Sequence, residues 1–193
     1  MIIGLTGKKG CGKSSVAAIL SEKYGYEHIS FAKPIKDMLS AIGFTDRQLN
    51  DPIEKERVVP EYGKSSRQFM QLLGTEFGRC MIKESIWVTA LEKQLISDEN
   101  YVIDDVRFSN EAAMIHANGG KVVRVVRAGQ EMGLVDSHIS ESGLNSEQID
   151  MEISNTSNYV TDLEYAVTNT LENILYYGAF YDPKLKRLTG LKA

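Results

Sequence analysis

Cysteine and histidine are scarce in this chain of 193 residues, which contains two cysteines and three histidines. Cys11 and Cys80 form no CxxC pair and the histidines are scattered, so neither a zinc site nor a disulfide framework is indicated. Because free thiols are typical of reducing compartments, we expect a cytoplasmic protein.

The chain also lacks an excess of basic residues and a long apolar run. Twenty-two lysines and arginines stand against 26 aspartates and glutamates, which gives a net charge of −4. Electrostatic binders of nucleic acid are normally basic, so we expect no polynucleotide partner. No stretch has the length and hydrophobicity of a signal peptide or a membrane span, and we expect no membrane partner.

What the sequence does contain is an alternation of strand and helix patterns, with 42% hydrophobic and 25% charged residues. The predicted strands cover 1–6, 28–31, 101–103, 121–126 and 151–153. This order predicts one α/β domain over 1–193, with a five-stranded parallel sheet flanked by helices. Two polar segments predict mobile parts of that domain, a flap at about 43–66 and a lid at about 127–144.

The stretch GLTGKKGCGKSS, at 4–15, has the spacing Gly-x-x-x-x-Gly-Lys-Ser between a predicted strand and a predicted helix. Glycines let the N–H groups at the helix start surround a β- and γ-phosphate, and the lysine adds a mobile charge. The hydroxyl after the lysine can hold Mg²⁺, so this P-loop predicts binding of ATP and Mg²⁺ with Ser14 on the metal. The predicted nucleotide-binding residues are Gly7, Lys9, Gly10, Cys11, Gly12, Lys13, Ser14 and Ser15.

P-loops serve kinases, regulatory GTPases and transport ATPases alike. The chain has neither the NKxD motif that reads guanine nor a DxxG switch, so a GTPase is not indicated. A small-molecule kinase needs a second anion site, which holds an acceptor in line with the γ-phosphate.

The helix pattern SSRQFMQLLGTEFGR, at 65–79, is a candidate for that second site. Four polar residues at steps of four share one face, and four apolar residues predict a buried opposite face. The polar set is Arg67, Gln71, Thr75 and Arg79, and the apolar set is Phe69, Leu72, Leu73 and Phe77. A solvated polar face is the alternative interpretation. The two arginines favour phosphate recognition, and hence a substrate-binding face.

The stretch YVIDDVRF ends a predicted strand with two aspartates. A carboxylate there commonly holds Mg²⁺, and we assign the metal and the substrate side to Asp105, with Arg107 reaching a phosphate. Either aspartate could instead cap the next helix, and Arg107 could pair with Asp105. In the lid, Arg127 is the candidate for stabilising transition-state charge. The predicted catalytic residues are therefore Lys13, Arg107 and Arg127.

No general base stands out in the sequence. A monophosphate acceptor needs none, because its second pKa is about 6 and its oxygens are already anionic near neutral pH. An alcohol acceptor would need a carboxylate to take its proton, and Asp37 is the candidate for that role.

Together these motifs resemble the deoxynucleoside monophosphate kinases of tailed phages over nearly the whole chain. The pattern A-x-P-I-K-D is matched at 32–37, and an Arg…Gln…Gly-Thr-Glu helix at 67–76. D-x-R is matched at 105–107, and the lid pattern V-V-R-x-G-Q…H-I-[ST]-E-x-G-L at 125–130 and 138–144.

The resemblance implies a P-loop enzyme that transfers the γ-phosphate of ATP to a deoxynucleoside monophosphate with Mg²⁺, and it suggests a homodimer. It places Lys33, Lys36 and Asp37 at the acceptor and adds His138 of the lid to the substrate-binding residues. The turn that begins at Asn155 departs from the family's Asn-Asp-Gly and is the candidate adenine contact.

A second departure from the family pattern lies in the P-loop, where Ser14 and Ser15 replace Asp-Thr and leave the metal-binding hydroxyl open between them. Two other functions also stay open. One is a related kinase for another phosphorylated acceptor, such as phosphomevalonate or dephospho-coenzyme A. The other is a nucleotide-binding regulatory protein that hydrolyses ATP slowly.

Overall fold

The computed structural model describes residues 1–127, 144–156 and 159–181, with side chains through Tyr176. The strands are β1 (Ile2–Thr6), β2 (Glu27–Ile29), β3 (Val58–Val59), β4 (Lys64–Ser65), β5 (Tyr101–Ile103), β6 (Lys121–Arg127) and β7 (Met151–Asn155). The α-helices are α1 (Lys13–Tyr24), α2 (Lys33–Ala41), α3 (Asp46–Asn50), α4 (Ser66–Gln71), α5 (Ile86–Glu92), α6 (Ser109–Ala117) and α7 (Val160–Tyr181). Two 3₁₀ helices cover Glu54–Glu56 and Ser146–Gln148, and a π-helix covers Leu72–Ile82.

Five strands form one parallel sheet in the order β2-β5-β1-β6-β7. Each predicted strand is present, so the predicted five-stranded parallel sheet is confirmed. The central strand β1 lies between β5 and β6, and the chain crosses to opposite sides of β1 to form them. Ligands bind such sheets at the carboxyl end of the strand where the order reverses, which here is the end of β1 at the P-loop.

Helices cover both faces of the sheet, and alternate residues of β1 enter two different cores. Ile2 packs into the core beneath α2, α5 and α6, whereas Ile3 and Leu5 pack into the core beneath α1 and α7. Helix α1 ends at Gly25, whose φ of 70° and N–H bonds to the carbonyls of Leu20 and Ser21 close the helix. Within the described residues, no helix has the length and apolar character that crossing a bilayer requires.

The flap, 43–66, contains α3, the Glu54–Glu56 3₁₀ helix and an antiparallel β3–β4 pair. Its ends pack on the helix that follows through three aromatic rings, because Phe44 stacks on Tyr62 and both rings meet Phe69 edge-on. Ser65 then caps α4, accepting the N–H of Gln68 while the Gln68 side chain accepts the N–H of Ser65. This capping box connects the flap directly to the start of α4.

The predicted helix at 65–79 is present, and Phe69 and Leu73 pack against the core as predicted. The predicted faces are wrong for Leu72, Phe77 and Arg79. From Leu72 onward the helix is of the π type, whose i→i+5 hydrogen bonds widen each turn. Residues at steps of four therefore no longer share one face, and Leu72 and Phe77 are 40% and 44% exposed instead of buried. Small residues face inward instead, since Trp87 packs on Gly78 and donates its indole N–H to the carbonyl of Gly74 at 2.7 Å.

Candidate active site

The P-loop leaves β1 through two glycines in the left-handed region, Gly7 with φ 138° and Gly12 with φ 109°. A side chain at Gly7 would collide with the carbonyl of Val125, and one at Gly12 would collide with Asn155. Both conformation and close packing therefore require glycine at these positions. The Lys13 ammonium lies across the loop, donating to the carbonyls of Gly7 at 2.7 Å and Lys8 at 2.9 Å.

Asn155 at the end of β7 holds the P-loop in place. Its side-chain amide donates to the carbonyl of Cys11 at 2.9 Å, and the residue is buried. The sequence predicts Asn155 as an adenine contact, and the structure shows one N–H of its amide bonded to the backbone of the P-loop.

The start of α1 meets the end of β5 through a hydrogen bond between Ser14 and Asp104. The Ser14 hydroxyl donates to one carboxylate oxygen of Asp104 at 3.0 Å, and His28 Nε2 lies 3.0 Å from the other. Burial alone would raise the pKa of Asp104, but the hydrogen bond and charge of His28 and the hydrogen bond from Ser14 lower it below its ordinary value. Asp104 is therefore an ionised carboxylate beside the P-loop hydroxyl.

Asp105, the neighbouring carboxylate, faces a different part of the molecule. Its two oxygens accept the backbone N–H groups of Phe31 and Ala32 at 3.0 and 2.9 Å, which joins the start of α2 to β5. Burial and the charge of Asp104 raise the pKa of Asp105 above its ordinary value, against the opposing effect of these two bonds. The metal role predicted for Asp105 is corrected, since Asp104 is the carboxylate that contacts the P-loop hydroxyl.

Ser14 and Asp104 fit a Mg²⁺ ion by their chemistry, because a hydroxyl and a carboxylate oxygen are the hard ligands that this ion takes in P-loop proteins. Among the residues that the structure describes, Ser15 makes no such contact with a carboxylate, so the geometry favours Ser14 over Ser15. In the described part of the chain, no group of three His, Cys, Asp or Glu side chains is arranged to hold a metal by itself. A two-residue protein contribution is typical of Mg²⁺, which keeps water and substrate oxygens as its other ligands.

Glu56 of the flap joins the P-loop to the helix that begins at Ser66. One oxygen of its carboxylate lies 2.6 Å from the ammonium of Lys9 and 2.7 Å from Nε of Arg67. The hydrogen bond from Lys9 lowers the pKa of Glu56, and the charge of Arg67 adds to this effect against the opposing effect of burial. Arg67 is only 20% exposed, so its guanidinium faces the P-loop side of the flap rather than bulk solvent.

Arg79 is buried and bonded within the protein, contrary to the prediction of a substrate-binding role. Its guanidinium pairs with Glu111, donates to the carbonyl of Glu84 at 2.9 Å and stacks 3.9 Å over the ring of Phe108. Glu111 also accepts the N–H of Arg107 at 2.7 Å and that of Phe108 at 3.0 Å. Burial, with the nearby Asp105, raises the pKa of Glu111, and the charge of Arg79 opposes that shift. This ion pair holds the π-helix against the start of α6.

The predicted acceptor residues on α2 divide into two groups. Lys33 and Asp37 are both exposed and pair with each other at 2.8 Å. Lys36 instead turns toward the flap, where it donates to the side chain of Asn50 at 2.9 Å, and its charge acts on Asp104. Gln71 and Thr75 of the acceptor helix are half-buried.

The remaining predicted residues lie at the strand ends or outside the described ranges. Arg107 follows β5, and Arg127 ends β6 opposite Asn155 of β7. His138 and the rest of the lid between 128 and 143 lie outside the residues that the structure describes.

A sequence model of one protein family, "Deoxynucleotide monophosphate kinase", matches residues 44–167, which include the flap, the Arg67 helix, Asp104 and Asn155. The chain belongs to the deoxynucleotide monophosphate kinase family. This confirms the predicted family and places Glu56 and Arg67 within its matched region.

Two relatives of this family member carry names of the same kind. A deoxynucleoside-5'-monophosphate kinase of Escherichia phage T5 is 32% identical over 182 residues, and the match covers 87% of this chain and 66% of the phage protein. The chain thus spans just under two thirds of that relative's length. A putative deoxynucleotide monophosphate kinase of Acanthamoeba polyphaga mimivirus is 29% identical over 164 residues, with 76% and 83% of the two chains covered.

Among solved structures, a dephospho-CoA kinase from Campylobacter jejuni is similar to this kinase family member at a TM-score of 0.49 and 17% identity. The alignment covers 90% of this chain and 96% of that protein. A likeness of this size does not identify an acceptor.

Sequence reasoning gave no site role to His28 or Glu56, and it gave the metal role to Asp105 rather than to Asp104. Asp104 carried a signal, because side chains alternate along a strand and Val102 packs under α1, the P-loop helix. Asp104 continues that side of β5, whereas Asp105 continues the side of Ile103. Glu56 and His28 carried no local signal, since their partners are distant in sequence.

Proposed function

We propose that this protein transfers the γ-phosphate of ATP to a deoxynucleoside monophosphate, which yields ADP and the deoxynucleoside diphosphate. Membership of the kinase family supports this reaction. The observation that carries it is the position of Glu56, whose one carboxylate oxygen bonds both Lys9 of the P-loop and Arg67 of the predicted acceptor helix. Two cationic groups, one at each proposed phosphate, thus meet at a single carboxylate oxygen.

In this reaction the phosphoryl group passes directly from ATP to the acceptor, so the protein forms no covalent bond with it. An oxygen of the acceptor phosphate forms a bond to the γ-phosphorus while the bond from that phosphorus to the β–γ bridging oxygen breaks, and ADP leaves. Lys13 and the P-loop N–H groups bind the donor phosphates, and no proton needs to be removed from an anionic acceptor. Arg107 and Arg127 belong to the proposal as charges that stabilise the transferring phosphoryl group.

Mg²⁺ is part of the proposal, with Ser14 and Asp104 as the residues that would hold it. When bound, the ion neutralises charge on the β- and γ-phosphates. The protein contributes the position of the two ligands. His28 Nε2 donates a hydrogen bond to the Asp104 carboxylate, and this bond orients Asp104.

A coupled assay of ADP release tests the reaction. Purified protein is given ATP and Mg²⁺ with each of the four deoxynucleoside monophosphates, the matching ribonucleotides, phosphomevalonate and dephospho-coenzyme A. We expect release that depends on a deoxynucleoside monophosphate. Turnover only with one of the last two acceptors would replace the substrate, and acceptor-independent slow release would indicate a regulatory nucleotide-binding protein.

Cellular setting and assembly belong to the same proposal. Small-molecule substrates of this kind point to the cytoplasm, that of the host if the gene is carried by a phage, with no polynucleotide or membrane as partner. A homodimer is supported by apolar side chains on the π-helix, since Phe77, Met81 and Ile82 are 44%, 77% and 56% exposed. Light scattering during size-exclusion chromatography measures the mass, and a monomer at micromolar concentration would contradict the dimer.

A further inference from the structure

Lys55 occupies the middle of the Glu54–Glu56 3₁₀ helix, a segment of the flap that is held firmly in place. The Asp51 carboxylate accepts the N–H groups of Ile53 and Glu54 at 2.8 and 2.9 Å, and the Asp51 carbonyl accepts that of Lys55 at 3.0 Å. The buried hydroxyl of Ser66, the first residue of α4, donates to the carbonyl of Gln48 and also lies 3.4 Å from the carbonyl of Lys55. The backbone of Lys55 is therefore attached to the start of the helix that carries Arg67.

The side chain of Lys55 lies among other cations. The positive charges of Lys36 from α2, Arg67 from α4 and Arg107 from the loop after β5 repel its ammonium group. The carboxylate of Asp104 attracts it. Four elements of the fold thus bring positive groups to one place beside the proposed metal ligands. Asp104 offsets this positive charge only in part, since its single carboxylate stands against several cations and the pKa of the Lys55 ammonium is still lowered.

The Lys55 ammonium has no hydrogen-bond or salt-bridge partner within the ranges 1–127, 144–156 and 159–181, unlike the ammonium groups of Lys9 and Lys13, which are bonded. Burial lowers the pKa of its ammonium to about 8, and the charges of Lys36 and Arg67 contribute in the same direction. A half-buried ammonium that is repelled by its neighbours destabilises the ligand-free protein. An anion placed among these groups would reverse that effect.

We propose that Lys55 is a ligand of the acceptor's phosphate, a dianionic phosphate monoester held jointly with Arg67. This inference rests on the proposed function and names a residue of the same site. The acceptor is favoured over ATP because Lys55 is attached to the Arg67 helix, whereas the donor phosphates have Lys13 and the N–H groups of the P-loop. Glu56, the next residue, then orients Arg67 from the same short helix.

The test compares Lys55→Met with Lys64→Met, which removes an exposed lysine from β4 of the same flap. Calorimetry measures the affinity of each protein for a deoxynucleoside monophosphate without ATP, and separately for ATP. Loss of one charge-assisted contact should weaken acceptor binding by about ten- to a hundredfold in Lys55→Met and leave ATP binding unchanged. Lys64→Met should match the wild type.

Thermal unfolding checks that Lys55→Met is folded. Because Lys55→Met removes a repelled charge, the ligand-free variant should melt at or above the wild-type temperature at neutral pH.

A pH series separates a charge contact from a packing effect. Below its pKa of about 8 the Lys55 ammonium is charged and binds the acceptor, so the wild-type affinity should fall as pH rises from 7 to 10. Lys55→Arg keeps its charge throughout that range and should flatten the fall. Equal pH profiles in the wild type and Lys55→Arg would overturn the inference.

The outcomes also separate this inference from the function on which it rests. A wild type that neither binds nor phosphorylates any deoxynucleoside monophosphate contradicts the proposed function itself. An active wild type with unchanged acceptor affinity in folded Lys55→Met, or with a loss of ATP affinity instead, contradicts only the role of Lys55.

Discussion

The Ser14 hydroxyl donates a hydrogen bond to the Asp104 carboxylate at 3.0 Å, which connects the first turn of α1 with the carboxyl end of β5. The two residues are 90 positions apart in the sequence and meet because β5 lies directly beside β1 in the sheet. Asp105, one residue further on, is turned toward the N–H groups of α2. One carboxylate of the pair thus faces the P-loop and the other supports the fold.

Asp104→Asn should lower kcat/KM by at least about a hundredfold and raise the Mg²⁺ concentration needed for half-maximal rate, because the proposed metal ligand loses its charge. Initial rates across a Mg²⁺ titration measure both effects. Asp105→Asn serves as the matched control and should change the stability while leaving the Mg²⁺ dependence intact. If Asp105→Asn alone shifted the Mg²⁺ requirement, our assignment of the two carboxylates would be reversed.

Lys13→Ala should lower turnover by at least about a hundredfold, the scale for removing a preorganised charge at a transferring group. The ammonium already lies over the loop, 2.7 Å from the Gly7 carbonyl, and is positioned to move onto a phosphate. Steady-state rates with saturating ATP and acceptor provide the measurement, with circular dichroism to verify folding. Near-normal turnover would show that the loop is not the donor site.

Arg67→Ala should raise the acceptor KM by about tenfold or more, because a charge-assisted contact to phosphate is lost, and change the KM for ATP little. Arg57→Ala is a suitable control, since Arg57 lies on the same flap and is 68% exposed. Its guanidinium forms a salt bridge with the Glu54 carboxylate at 3.0 Å. KM values for both substrates in each variant decide the matter. An unchanged acceptor KM in a folded Arg67→Ala protein would return the helix to a solvated surface role.

Arg79→Met should lower the free energy of unfolding by about 3–5 kcal/mol, because it leaves the buried Glu111 carboxylate without its partner. Urea denaturation measures the change, and Arg47→Met, at a position 75% exposed, should stay within about 0.5 kcal/mol of the wild type. Below the melting temperature, the acceptor affinity of Arg79→Met should be close to normal. Full stability combined with weak acceptor binding would restore Arg79 to the substrate site.

Asp150, beside strands β6 and β7 at the edge of the sheet, should make the stability of the protein depend on pH. Burial alone would raise its pKa, but the N–H of Val122 and the side chains of Lys121 and His116 lower it below its ordinary value. A lowered carboxylate pKa stabilises the fold above the unfolded value of about 4, and this contribution is lost as pH falls through the folded pKa.

Asp150→Asn should therefore destabilise the protein by about 1–2 kcal/mol at neutral pH, and the difference from the wild type should vanish in acid. Thermal unfolding of both proteins from pH 7 to 3 measures this convergence. A constant difference over that range would mean that the charge of Asp150 contributes nothing.

Residues near one another in sequence were predicted correctly, and pairs distant in sequence were not. The P-loop glycines and the five strands follow from backbone conformation and periodicity that a short stretch contains. The prediction of the two faces of the 65–79 helix failed in part because hydrogen bonding changes to the π type after Gln71. The four-residue repeat in the sequence does not indicate that change.

By itself, the sequence determined the α/β alternation, the phosphate-binding turn and the family, because each depends on local spacing and on the short-range limits of φ and ψ. Only the tertiary structure decided three contacts. Asp104 accepts a hydrogen bond from Ser14, and Glu111 forms an ion pair with Arg79. Glu56 forms ion pairs with both Lys9 and Arg67. Each of these pairs involves charged groups whose partners are chosen by strand order and burial. A charged side chain is compatible with many partners until the fold brings one of them within bonding distance.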